Sequence, residues 1–118
     1  MQTTSTIKPY KKPAASVLVY GDITDSIVEK LKNILKLHGH RGLKIILASQ
    51  SFPRALESLR KFLHENYTFT IEIYSYSSSL IEKLKTTRGD SEIVAVLVSS
   101  SELVNQVPSF LLDKLMVS

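Results

Sequence analysis

Reactive side chains are sparse in this sequence of 118 residues, and none stands beside the companions that a reaction needs. His38 and His40 share a turn with Arg41, with no carboxylates at metal-ligand spacing, and His64 stands alone. They read as solvated helix-end residues near a negative dipole end rather than as ligands. Ser77 to Ser79 and Ser99 to Ser101 follow strands, where a nucleophile would belong, but no base accompanies them. Asp22 and Asp25 are three apart at a helix start, a spacing that capping explains without acid–base chemistry. The chain has no cysteine, which excludes thiolate nucleophiles, disulfides and cysteine zinc sites. The four glycines, Gly21, Gly39, Gly42 and Gly89, are too scattered to build a phosphate-cradling loop. No catalytic residue, metal or cofactor is expected.

What remains is binding. Lys8, Tyr10, Lys11 and Lys12 combine charge with a ring, suited to phosphate and base respectively. Ser49, Gln50, Ser51 and Arg54 stand at the opening of a helix, where free N–H groups attract phosphate oxygens. Lys83, Lys85 and Arg88 populate a later connection, and His40, Arg41 and Lys44 form another basic run. Fifteen Lys and Arg against eleven Asp and Glu give a net charge of +4. Three of those charges, Lys8, Lys11 and Lys12, precede the first acid, Asp22. A basic arm on a nearly neutral body suits a polyanion, although each cluster also reads as a solvated face.

The elements that must position these groups are set by periodicity. Residues 1–15 are polar, interrupted by Pro9 and Pro13, and read as a flexible basic arm. Residues 16–118 form one domain. Ser16 to Tyr20 is a short strand closed by Gly21, and Asp22 or Thr24 can cap the next segment. Ile23, Ile27, Val28, Leu31, Ile34 and Leu35 then mark one helical stripe. LKIILA from Leu43 is an apolar, central strand. Ser51 stands at a cap position, and Pro53 fits the first helical turn. Ala55, Leu56, Leu59, Phe62 and Leu63 give a second stripe. From Thr68 to Tyr76 the period changes to two, with Phe69, Ile71 and Ile73 facing one way and Thr70, Glu72, Tyr74 and Tyr76 the other. Ser77 to Ser91 reads as either a helical turn or an edge ribbon. EIVAVLV from Glu92 is a fourth strand, and Ser99 to Glu102 opens a short C-terminal helix limited by Pro108. The order is β-α-β-α-β-β in the α+β class, with both helices on one face of a small sheet. The third connection is a hairpin or a crossover.

These segments resemble the Alba superfamily of nucleic-acid-binding proteins from about Ser16 to Val98. The strand VLVYG, the strand LKIILA, the alternating TFTIEIYSY and the apolar EIVAVLV carry the likeness. EIVAVLVSSSELVNQVPSF is most similar to the Alba-like small subunits of ribonuclease P and ribonuclease MRP. The resemblance implies a four-stranded mixed sheet with a hairpin in the third connection and a C-terminal extension from about residue 99. It further implies a non-catalytic nuclear or nucleolar subunit that pairs with a second Alba-like protein on a structured RNA. Ribonuclease P or MRP RNA is the implied ligand, with telomerase RNA a further one. Two positions depart from the family. Asp22-Ile23 replaces a lysine pair at the start of the first helix, and only Arg54 matches the basic turn before the second. Leu59, Phe62, Phe110 and Leu112 are the expected partner interface. A kink-turn-binding ribosomal-type protein would instead have a crossover helix in the third connection, and a protein-interaction module would use the aromatic strand face.

Overall fold

A computed structural model of the chain describes residues 15–86 and 92–117, without the side chains of 83–86 and 92. The strands are β1 (Ala15–Tyr20), β2 (Leu43–Ala48), β3 (Ile71–Ser75), β4 (Glu92–Val98) and β5 (Leu115–Val117). The helices are α1 (Asp25–His38), α2 (Phe52–Glu65) and α3 (Ser78–Thr86). The strands all pair in parallel, in the order β3-β2-β1-β4-β5. The class is α/β.

β1 lies in the middle because all six of its residues are buried. Val17 and Val19 join Ile45, Leu47, Ala95 and Leu97 beneath Ile27, Leu31 and Leu35 of α1 and Leu59 and Phe62 of α2. Leu18 and Tyr20 join Ile46, Val96 and Val98 on the other face, with Ile81 of α3, Val107 and Leu111. Apolar side chains therefore cover both sides of the sheet, which is why its strands read as continuous apolar runs. The chain steps outward from β1 to β3 with α1 and α2 on one face. It then returns through α3, on the opposite face, to pair β4 with the free edge of β1.

Three expectations are corrected here. The four-stranded mixed sheet is a five-stranded parallel one; of the two readings open for the third connection, the crossover forms, as helix α3. Ser77 starts that helix by accepting the amide of Leu80 at 3.1 Å, and Leu80 and Ile81 then turn onto the second core. The C-terminal helix is two 3-10 turns, Ser101–Gln106 and Ser109–Lys114, followed by β5. Pro108, between the turns, has no N–H with which to continue a helix. Finally, β3 begins at Ile71 rather than Thr68. A turn from Asn66, closed by the Phe69 amide on the Asn66 carbonyl at 3.1 Å, uses up the residues before it. Ile71 and Ile73 face the first core and Tyr74 and Tyr76 the second, so the expected alternation holds while the aromatic face is half-buried.

The expected arm lies outside the described residues except for Ala15, which is fully buried in β1.

Candidate ligand cleft at the carboxyl ends of the strands

Each strand of a parallel sheet ends on the same edge, so the segments after β1, β2, β3 and β4 meet there. In this strand order, the direction of the chain reverses between β1 and β4. At such a reversal the flanking connections leave on opposite faces and open a crevice, the usual ligand site of an open α/β sheet. A cleft of about 890 Å³ occupies that place. It falls within the roughly 300–1,000 Å³ typical of small-molecule sites.

Gly21 makes the reversal possible. Its φ of +91° suits glycine, and an added Cβ would fall 2.5 Å from Leu103 Cδ1 and closer still to Ser99 Oγ. The loops after β1 and β4 are thus in close contact, tied by the Ser99 amide on the Tyr20 carbonyl at 3.2 Å. Thr24, not Asp22, caps α1, accepting the Ile27 amide at 3.2 Å. Asp22 is left exposed on the cleft wall.

After β2, Ser49 folds its hydroxyl onto the Ser51 amide at 3.2 Å. Ser51 is the N-cap of α2, but its side chain makes no capping bond. The first backbone bond of the helix runs from Ala55 N–H to the Ser51 carbonyl at 3.1 Å, so the amides of Phe52 and Arg54 precede it. Pro53 brings no donor. The first turn contains no acid, and Arg54 stands in it instead. Gln50 completes this wall.

β4 leads into Ser99, Ser100 and Glu102. Ser100 is occupied as a cap, accepting the Glu102 amide at 3.2 Å. Gln106 lies beside them on the cleft. Beneath, Tyr20 and Tyr76 pack with ring centroids 5.9 Å apart at 57°. Tyr20 is only 2% exposed, and its hydroxyl is buried beside the Tyr76 phenol. Burial holds its pKa well above that of a free phenol, and the neighbouring Tyr76 phenol adds to the shift.

Of the sequence-derived binding residues, Ser49, Gln50, Ser51 and Arg54 come together on one wall. Lys83 and Lys85 belong to the second half of α3, which runs from the cleft edge toward the other end of the sheet. Lys8, Tyr10, Lys11, Lys12 and Arg88 lie outside the described residues. The run of His40, Arg41 and Lys44 flanks the start of β2, whereas Arg54 follows its end, six strand residues or ~20 Å away. Lys44 is engaged there, its Nζ 5.0 Å from the centre of the Tyr74 ring, while the Tyr74 hydroxyl donates to Glu72. Among the described residues, no three His, Asp or Glu gather in a metal-holding group.

The expected partner interface divides. Leu59 and Phe62 are 0% and 1% exposed within the chain's own core, so they present nothing to a partner. Amphipathic spacing shows that such residues are covered, not by what. Phe110 and Leu112 are 41% and 46% exposed. Sequence reasoning missed Tyr20 and Gln106, put Tyr76 on an aromatic strand face, and placed Asp22, Ser99 and Glu102 in capping roles. The available signal was position, since Tyr20, Asp22, Tyr76 and Ser99 each end or follow a strand.

No protein-family model matches the chain, and no curated protein matches it. A solved structure of a hypothetical protein, ST0493, from Sulfolobus tokodaii has a similar fold, with a TM-score of 0.55 at 15% identity. The match covers 89% of this chain and 94% of that one, so the likeness is of the whole fold and of nothing finer.

Proposed function

We propose that this chain is a binding domain for a small, hydroxyl-bearing molecule held in the cleft at the carboxyl ends of β1, β2 and β4. The observation that carries the reading is the coincidence of a cleft of about 890 Å³ with the reversal of strand order. Its walls supply what a polar ligand needs. Asp22 and Glu102 accept hydrogen bonds, Ser49, Ser99 and Gln106 donate or accept, and Arg54 donates. Amide chemical shifts recorded while a library of sugars, polyols and their phosphates is titrated in provide the test. Changes concentrated at Gly21, Ser49 to Ser51 and Ser99 support the reading. Changes confined to the amino-terminal edge of the sheet, or none at all, refute it.

RNA binding by a non-catalytic ribonucleoprotein subunit, as the Alba resemblance implies, is a second reading. The meeting of Ser49, Gln50, Ser51 and Arg54 on one wall favours it. Against it stand two carboxylates, Asp22 and Glu102, in the same cleft as that single arginine, and a crossover helix where the Alba likeness needs a hairpin. Filter binding of a structured RNA across a salt series separates the two readings. Phosphate-driven binding weakens by about one log unit per log unit of salt for each phosphate neutralised. Phe110 and Leu112 remain the partner-facing candidates in that reading.

A further inference from the structure

The amino edge of the sheet, opposite the cleft, carries a different chemistry. The 3-10 turn Gly39–Arg41 after α1 and the turn from Asn66 after α2 meet there with the starts of β1 and β2. The Leu43 amide bonds the Thr70 carbonyl at 2.8 Å, and the Ala15 amide bonds the Gly42 carbonyl at 3.3 Å. A recess of about 240 Å³ opens between the two turns, lined by His40, Arg41, Thr68 and Phe69.

Two aromatic rings are displayed at this edge, Tyr67 at 81% exposure and Phe69 at 41%. Their turn is pinned. The Asn66 side-chain amide donates to the Phe62 carbonyl at 2.8 Å, and the Asn66 carbonyl accepts the Phe69 amide at 3.1 Å. The Phe69 ring lies so close over Gly39 that an added Cβ would fall 2.8 Å from Phe69 Cδ1. Packing therefore accounts for one side of Phe69 and leaves the rest of its ring, and nearly all of Tyr67, in solvent.

Charge is an independent observation. From Lys30 to Leu56 the sequence has no acid, and Lys36, His40 and Arg41 of that stretch fall at this edge. Nearby, Glu65 is paired with Lys32 at 4.0 Å, and Glu72 stands opposite Lys44 and accepts from Tyr74. Glu92, which opens β4, is the remaining acid of the edge among the described residues. The carboxyl edge has the opposite balance, with Asp22, Asp25 and Glu102 against Arg54. Because β1 starts at the amino edge, chain length alone holds Lys12 within ~11 Å of Ala15 and Lys8 within ~25 Å. Exposed ring faces among spaced cations match a strand whose bases stack and whose phosphates recur. A duplex hides its base faces, and polyphosphate has none.

We propose that the amino edge of the sheet docks single-stranded nucleic acid. Bases stack on Tyr67 and on the open side of Phe69, while Arg41 and the lysines at 8, 11 and 12 hold phosphates. This surface is separate from the cleft and does not depend on the reading of it.

Fluorescence anisotropy of short labelled oligothymidylate and oligouridylate, titrated with the full chain across a salt series, tests this. Log affinity should fall against log salt with a slope of about −2 to −3, from roughly three or four phosphates at ~0.7 each. Tyr67→Ala should weaken binding about ten-fold at every salt concentration without changing the slope, since the ring is uncharged. Its melting temperature should match the parent's, and Tyr67→Phe should bind as the parent does. Replacing Lys11 and Lys12 together by alanine should reduce the slope by about 1.4, and an unchanged slope overturns their role. A Tyr67→Ala variant that binds like the parent overturns the stacking site. So does competition by a duplex or by inorganic polyphosphate as effective as that of the unlabelled single strand. Loss of binding in Arg54→Ala but not in Tyr67→Ala moves the strand to the cleft wall and overturns the proposal. Absence of binding at low salt overturns it as well and leaves the reading of the cleft untouched.

Discussion

Replacing Gly21 by alanine forces a side chain into the place where the loops after β1 and β4 touch. Two costs add. A φ of +91° is strained for an L-residue, at about 1–2 kcal/mol. The new methyl group would also fall 2.5 Å from Leu103 Cδ1 and within contact of Ser99 Oγ. Overpacking of this kind costs about 1–3 kcal/mol. The sum, about 2–5 kcal/mol, is a large share of the ~5–15 kcal/mol that holds a typical domain folded. Urea denaturation followed by circular dichroism measures it as a lower midpoint at unchanged slope. Ser99→Ala removes one of the two obstructions, so the double variant should recover about 1 kcal/mol of the loss. Leu103 and the backbone strain account for the rest. A Gly21→Ala variant within about 0.5 kcal/mol of the parent would refute the close approach, and with it the geometry of the strand reversal. Strict additivity with Ser99→Ala would refute the contact with Ser99 in particular.

Other perturbations test other parts of the fold. Phe62→Ala should cost about 3–5 kcal/mol in the isolated chain, as expected of a core ring and not of an interface residue, and an unchanged urea midpoint would contradict its burial. Thr24→Ala should cost about 1 kcal/mol by freeing the Ile27 amide, while Asp22→Ala should cost much less; the reverse ranking would return the cap to Asp22. Stability should also fall above pH ~10, because Tyr20, raised by burial and by Tyr76, and Tyr74, raised by its hydrogen bond to Glu72, keep their protons longer when folded. Unfolded phenols ionise near pH ~10, so above that pH the native state holds more protons and loses about 1.4 kcal/mol per pH unit for Tyr20 until its folded pKa is passed. Below pH ~10 this contribution is constant; Tyr20→Phe should flatten the alkaline decline in urea midpoints, and an identical decline would refute the shift.

Local chemistry in the sequence determined most of the elements. The stripes Ile27-Leu31-Leu35 and Ala55-Leu59-Phe62 sit on helices because only helical periodicity gathers them on one side. Gly42, with a φ of +79°, and Pro53 at the start of α2 mark boundaries where a backbone preference acts within one or two residues. The wall from Ser49 to Arg54 was legible for the same reason, since one turn holds all of it. Tertiary pairing decided the rest. Ser77 followed by Leu80 and Ile81 fits either a helix start or an edge ribbon, and burial against Leu18 and Ile46 selects the helix. That selection makes β4 parallel to β1, turns the hairpin into a crossover and carries Ser99 to Gly21. Tyr20, Asp22, Tyr76 and Glu102 become neighbours only then, because residues spread from 20 to 102 share a cleft through strand order and not through spacing along the chain.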